Sequence, residues 1–147
     1  MSIHVRAKAR LKVLPGLAAF DSYDGFIRSL PFLGDGEVCR LIVVGDEIMD
    51  NLLTHGEIGS GGVTAYVRKR ATYLTLAFFV ESHRQFAAFA SCMASRQMPS
   101  AHFDSEAGRW HGLGLTMCGN IATTVHYRPG EKVDRIFLTF TTARSEP

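Results

Sequence analysis

Within "VVGDEIMDNLLTHGE", residues 43–57, Glu47, Asn51 and His55 recur at intervals of four. Residues so spaced share one strip of a helix surface. Their types could do chemistry together. A carboxylate can take a proton, a neutral amide oxygen suits a hard cation, and an imidazole can stand beside phosphate. The plain reading of such a strip is a face turned to water. The chemical reading needs it to line a cleft, and the surrounding elements bear on the choice.

The strip belongs to the clearest helix in the chain, expected over about residues 36–55. Val38, Leu41, Ile42, Gly45, Ile48, Met49, Leu52 and Leu53 form its apolar stripe. Glu47 points nearly opposite that stripe, Asn51 flanks it, and His55 lies nearer its edge. Val43 and Val44 fall off the stripe, so the helix is expected to be covered on more than one side. Such a helix favours a cleft over open water.

Ahead of this helix, Ile3, Val5, Ala7, Ala9, Leu11 and Val13 alternate with His4, Arg6, Lys8, Arg10 and Lys12. That alternation predicts a half-buried strand with a basic outer face. Pro15 and Gly16 end it, and a helix over about 17–30 is closed by Pro31 and "LGDG". Beyond the central helix, the glycines of "HGEIGSGG" act as a stop. "VTAYVRKR" and "YLTLAFFV" then form an antiparallel hairpin turning near Ala71 and Thr72. "QFAAFASCMAS" reads as a buried helix, and "RQMPSAHFDSEAGRWHG" as a long lid or binding loop without periodic structure. Gly112 opens a further helix, "LGLTMCGNIATT". "TTVHYRPGEKVDRIFLTFTT" closes the chain as two strands reversing at Pro129–Gly130. This order predicts one α+β domain over residues 1–147. Its architecture should be a two-layer α/β sandwich, with a mixed, mostly antiparallel sheet and helices on one face.

The bulk properties narrow the function classes. With 147 residues, 46% of them hydrophobic and 20% charged, the chain can bury a core and is not of disordered composition. A net charge of +2 is too even for its sign to imply nucleic acid. Apolar runs such as "LTLAFFV" fall far short of the ~20 residues that cross a bilayer. The alternating N-terminus lacks the continuous apolar core of a signal peptide. Cys39, Cys92 and Cys118 form no C-x-x-C pair, which reads as reduced thiols in a cytoplasmic protein without zinc.

In element order, in "DEIMDNLLTHG" and in "GRWHGLGL", the chain resembles the GHKL superfamily of ATPases (histidine-kinase-like ATPase domains) over nearly its whole length. It is most similar to the stand-alone anti-sigma-factor serine kinases, whose helix pattern Glu-x-x-x-Asn-x-x-x-His matches Glu47, Asn51 and His55. The resemblance implies ATP and Mg²⁺ as cofactors. Asn51 would be the metal ligand, and Glu47 the base that takes a proton from the attacking hydroxyl. His55 would complete the nucleotide-binding strip. Gly112, Gly114 and Leu115 match the second glycine motif, where backbone N–H groups at a helix start approach phosphate. Residues from about Gln97 to His111 take the place of the ATP lid.

The first glycine motif departs from the family's Asp-x-Gly-x-x-Phe. The corresponding run is "ESHRQF", with Glu81 for the adenine-binding Asp, His83 for Gly, and Phe86 retained. The resemblance further implies a homodimer and a regulatory partner, either a sigma factor or an anti-anti-sigma antagonist. Two functions stay open. One is an ATP-dependent serine protein kinase of a partner-switching system. The other is the same fold with a decayed adenine pocket, acting as a protein–protein module without catalysis.

Overall fold

The structure is a computed structural model that describes residues 7–16, 18–55, 58–82, 102–104, 109–111, 121–128 and 132–141. Its elements are β1 (Lys8–Val13), α1 (Ala19–Arg28), α2 (Asp35–His55), β2 (Ile58–Lys69), β3 (Tyr73–Ser82), β4 (His102–Asp104), β5 (Arg109–His111), β6 (Thr124–Arg128) and β7 (Val133–Thr141). Five strands form one sheet in the order β1-β2-β3-β7-β6, and every neighbouring pair is antiparallel. The architecture is therefore α+β, and its described sheet is wholly antiparallel where a mixed sheet is expected from the element order. β2 and β3 are joined by the short connection 70–72, whereas β1 and β2 pair antiparallel across the two intervening helices.

Alternation along each strand decides which face meets the helices. Val13 on β1, Val63, Ala65 and Val67 on β2, and Leu74, Leu76, Phe78 and Val80 on β3 are buried. So are Ile136, Leu138 and Phe140 on β7. These side chains form one core with Tyr23 and Ile27 of α1 and Leu41, Val44, Ile48, Met49 and Leu52 of α2. Of the stripe expected for α2, Leu41, Gly45, Ile48, Met49 and Leu52 are buried and Val38 and Ile42 partly so, and Val44 joins them. Tyr23 and Ile27, four residues apart, anchor α1 to the same core.

Three local features fix how the layers meet. First, Tyr23 lies against α2 at Gly45, where a Cβ would coincide with the phenol ring. Its hydroxyl donates to the Leu41 carbonyl, and its ring stands 6.0 Å from that of Phe78. Second, Lys69 at the end of β2 donates to Glu37 Oε1 at 2.7 Å and to the Phe32 carbonyl at 3.0 Å. The same carboxylate oxygen accepts the Gly34 N–H at 2.9 Å. Burial opposes ionisation of Glu37. The Gly34 N–H, Lys69 and Arg40 outweigh it and hold the carboxyl below its ordinary value.

Third, the glycine-rich run after α2 is not simply a stop. Ile58 pairs with Ser82 and Val63 with Val80, so residues 59–62 stand opposite Glu81 alone, as a bulge in β2. Gly62 makes this possible: its φ is +72°, and a Cβ there would run into the Val13 carbonyl.

The segment from Arg96 to Gly112, expected to lack regular structure, contains a small separate hairpin. His102 pairs with His111, Phe103 with Trp110 and Asp104 with Arg109. Strands of three residues are too short for a period-2 pattern to register in the sequence. Thr124, included both at the end of the expected helix and in the first closing strand, lies in β6. The buried helix expected near 85–95 lies outside the described residues, as do positions 112–120.

Candidate functional site

Helix α2 carries the strip singled out by its residue types, and the chain positions it by connectivity. His55 ends α2, and two residues later β2 begins at Ile58, which pairs with Ser82 at the C-terminal end of β3. Three Cα–Cα steps span at most about 11 Å, and paired strands lie about 5 Å apart. The last turns of α2, the glycine bulge of β2 and the C-terminal end of β3 therefore converge at one end of the sheet. β-Bulges recur beside active sites, where they re-aim a strand.

Of the expected site residues, Glu47 is half-buried on α2. Asn51 and His55 occupy the following two turns of the same helix. Glu81 stands apart from them. It is exposed, and alternation along β3 puts it on the same sheet face as Phe79 and Ala77, away from the helices. Helix and strand meet at one end, yet this carboxylate is directed to the opposite face. His83, Phe86, Gly112, Gly114 and Leu115 lie outside the described residues.

A second acidic group, absent from the residues singled out by sequence, adjoins Glu47. Asp46 on α2 and Asp24 on α1 are hydrogen-bonded to one another across the helix pair. The Oδ1 atoms of both are buried without a partner. Burial, the Asp24 hydrogen bond and the charges of Asp24 and Glu47 push the Asp46 carboxyl up to about 7. A carboxyl so placed gives up its proton less readily than a solvated one. A signal for Asp46 exists in the sequence. It falls four residues after Ile42 and three before Met49, between members of the apolar stripe. For Asp24 nothing comparable exists, because its partner lies on another helix.

Chemically, the arrangement provides a half-buried carboxylate at Glu47 beside the raised carboxyl of Asp46. Asn51 follows one turn later on α2, one turn before the helix ends at His55. Among the described residues, no cluster of three or more His, Cys, Asp or Glu side chains could hold a metal ion by itself. No described helix is long and apolar enough to cross a membrane. No family model matches the chain, and no curated protein matches it in sequence.

Proposed function

We propose that the chain is a GHKL-type domain that binds Mg·ATP where α2 ends. In this reading it acts as an anti-sigma-like serine protein kinase on a small regulatory protein, working as a homodimer. One observation carries it. The α2 turns bearing Asn51 and His55 reach the same end of the sheet as the C-terminal end of β3, the strand followed by the degenerate first glycine motif.

The residue types fit the metal. Mg²⁺ arriving with a triphosphate needs one or two hard protein oxygens, with phosphates and water completing its shell. Asn51 is such a donor, with Asp50 and Glu47 adjoining on the same helix. When bound, Mg·ATP supplies the phosphoryl group and neutralises charge on its oxygens. Glu47 accepts the proton of the attacking serine hydroxyl, and its partial burial keeps it from being fully solvated. Asp46, retaining a proton near neutrality, spares the site a further negative charge. His55 stands next to phosphate.

The position of Glu81 favours a second reading, in which adenine is not recognised and the fold serves as a protein–protein module. Thermal shift with Mg·ATP separates the two. A ligand at ~100 times its Kd stabilises by about 2.7 kcal/mol. For a chain of this size that raises Tm by about 5–10 °C. Asn51→Ala should abolish the rise, while Glu81→Ala should leave it unchanged. Absence of any rise in the wild type would leave the module reading alone.

A further inference from the structure

The sheet face turned away from α1 and α2 carries a charge pattern that the nearly even net charge conceals. Its rows follow from register. Lys8, Arg68, Thr75, Thr139 and Thr124 form one row, and Arg10, Tyr66, Ala77, Phe137 and His126 the next. Lys12, Thr64, Phe79, Arg135 and Arg128 form the third. Lys8, Arg10, Lys12, Arg68, Arg128 and Arg135 are all exposed. Among the described residues Glu81 is the one acid on this face. The helix layer is the reverse: α1 and α2 hold Asp21, Asp24, Asp35, Glu37, Asp46, Glu47 and Asp50 against Arg28 and Arg40. The fold thus sorts its charges by layer.

Between the cationic rims lies an aromatic belt. Tyr66 and Phe79 meet edge-on with centroids 6.4 Å apart, and Phe79 and Phe137 do so at 6.1 Å. All three rings are partly exposed, and together with the strands they leave Ala77 fully buried beneath them. The Arg128 guanidinium sits 6.0 Å over the Phe137 ring and donates to His126 at 3.2 Å. With strands about 4.8 Å apart, the β1 and β6 rims are about 19 Å from one another. Lys8 faces Arg68, and Arg128 faces Arg135, directly across strands. Like charges so paired are destabilising unless an anion covers them.

We propose that this face binds single-stranded nucleic acid, with phosphates on the Lys and Arg rims and about two or three unstacked bases over the Tyr66–Phe79–Phe137 belt. An acidic peptide would satisfy the rims but would leave the rings without planar partners. A duplex would present its phosphates but keep its bases stacked within. The proposal is independent of the nucleotide site on α2.

The test is fluorescence anisotropy of the full chain with labelled 12-nucleotide single-stranded DNA and RNA. A duplex and a glutamate-rich peptide of equal charge run alongside. Single strands should bind tightest, with affinity falling by about 0.7 log unit per log unit of salt for each phosphate neutralised. Arg68→Ala and Arg135→Ala should each reduce that slope by about 0.7. Tyr66→Leu and Phe79→Leu keep apolar bulk but remove the ring planes, and should weaken binding about tenfold. Thermal melts verify that each variant is folded, and Asn51→Ala should bind nucleic acid like wild type. Absence of binding overturns the proposal. So does peptide binding of equal strength, which would make the face a protein-docking surface, or leucine variants that bind as wild type.

Discussion

The Tyr23 phenol lies in the space that a side chain at Gly45 would occupy, and its hydroxyl donates to the Leu41 carbonyl one turn earlier on α2. A glycine inside a helix ordinarily costs about 1 kcal/mol relative to alanine. Here that cost admits the ring joining the two helices. Gly45→Ala should therefore destabilise, the overpacking of about 1–3 kcal/mol outweighing the helix-propensity gain. Tyr23→Phe should cost about 1 kcal/mol for the lost buried hydrogen bond. The double variant should be less destabilised than the sum by at least about 0.5 kcal/mol, since the phenylalanine lacks the atom nearest the new Cβ. Denaturant midpoints of the three variants check this. A stabilised Gly45→Ala would mean that the ring moves aside freely.

The Asp24–Asp46 pair predicts an unusual pH response. Asp46 is pushed up to about 7 in the folded chain, against an ordinary 3.8. The folded state thus holds its proton where the unfolded state has released it. Stability from this pair is complete below about pH 4 and declines as pH rises towards 7. Allowing for partial exposure, the loss is about 2 kcal/mol. Asp46→Asn should flatten that decline and be the more stable protein at pH 8. Urea denaturation at pH 5 and pH 8 measures the difference.

Glu37 behaves with the opposite sign. Its carboxyl is held below the ordinary 4.5, so its contribution is present above that pH and lost as pH falls below it. Lys69→Met removes the cation but leaves Glu37 largely buried, with the Gly34 N–H as its remaining short contact of the two. The cost should be about 1–3 kcal/mol at pH 7. It should shrink as pH falls below 4.5 and Glu37 takes up its proton, and melts across that range test this directly.

On the kinase reading, Glu47 and Asn51 should separate kinetically. Glu47→Ala should keep most of the Mg·ATP thermal shift and lower phosphoryl transfer to a serine-bearing partner by at least about 100-fold. Asn51→Ala should lose both. Transfer unaffected by Glu47→Ala would remove it from the role of base.

Much of the architecture could be read from residue order. Alternation at Ala7, Ala9, Leu11 and Val13 marked β1, and the exposure of Lys8, Arg10 and Lys12 follows it in the structure. The apolar stripe of α2, the β2–β3 hairpin and the β6–β7 pair were legible for the same reason. A period of 3.6 or 2 records which face is buried, and burial is the dominant local constraint. The β4–β5 hairpin escaped because three residues cannot display a period. The β2 bulge escaped because glycines carry no side chain by which alternation could be followed.

Sequence by itself determined α1, α2 and the longer strands, and the spacing of Glu47, Asn51 and His55, since each depends on neighbours within a few turns. Only the tertiary structure decided which distant groups meet. Asp24 reaches Asp46 because α1 packs on α2, and Lys69 reaches Glu37 because β2 ends beside the start of that helix. Glu81 faces away from the helices because Val80 takes the inward place beside it. Only the fold, too, turned a net charge of +2 into an acidic helix layer and a basic sheet face. A sum of charges carries no positions, whereas the pleat and the packing of the layers assign one to each.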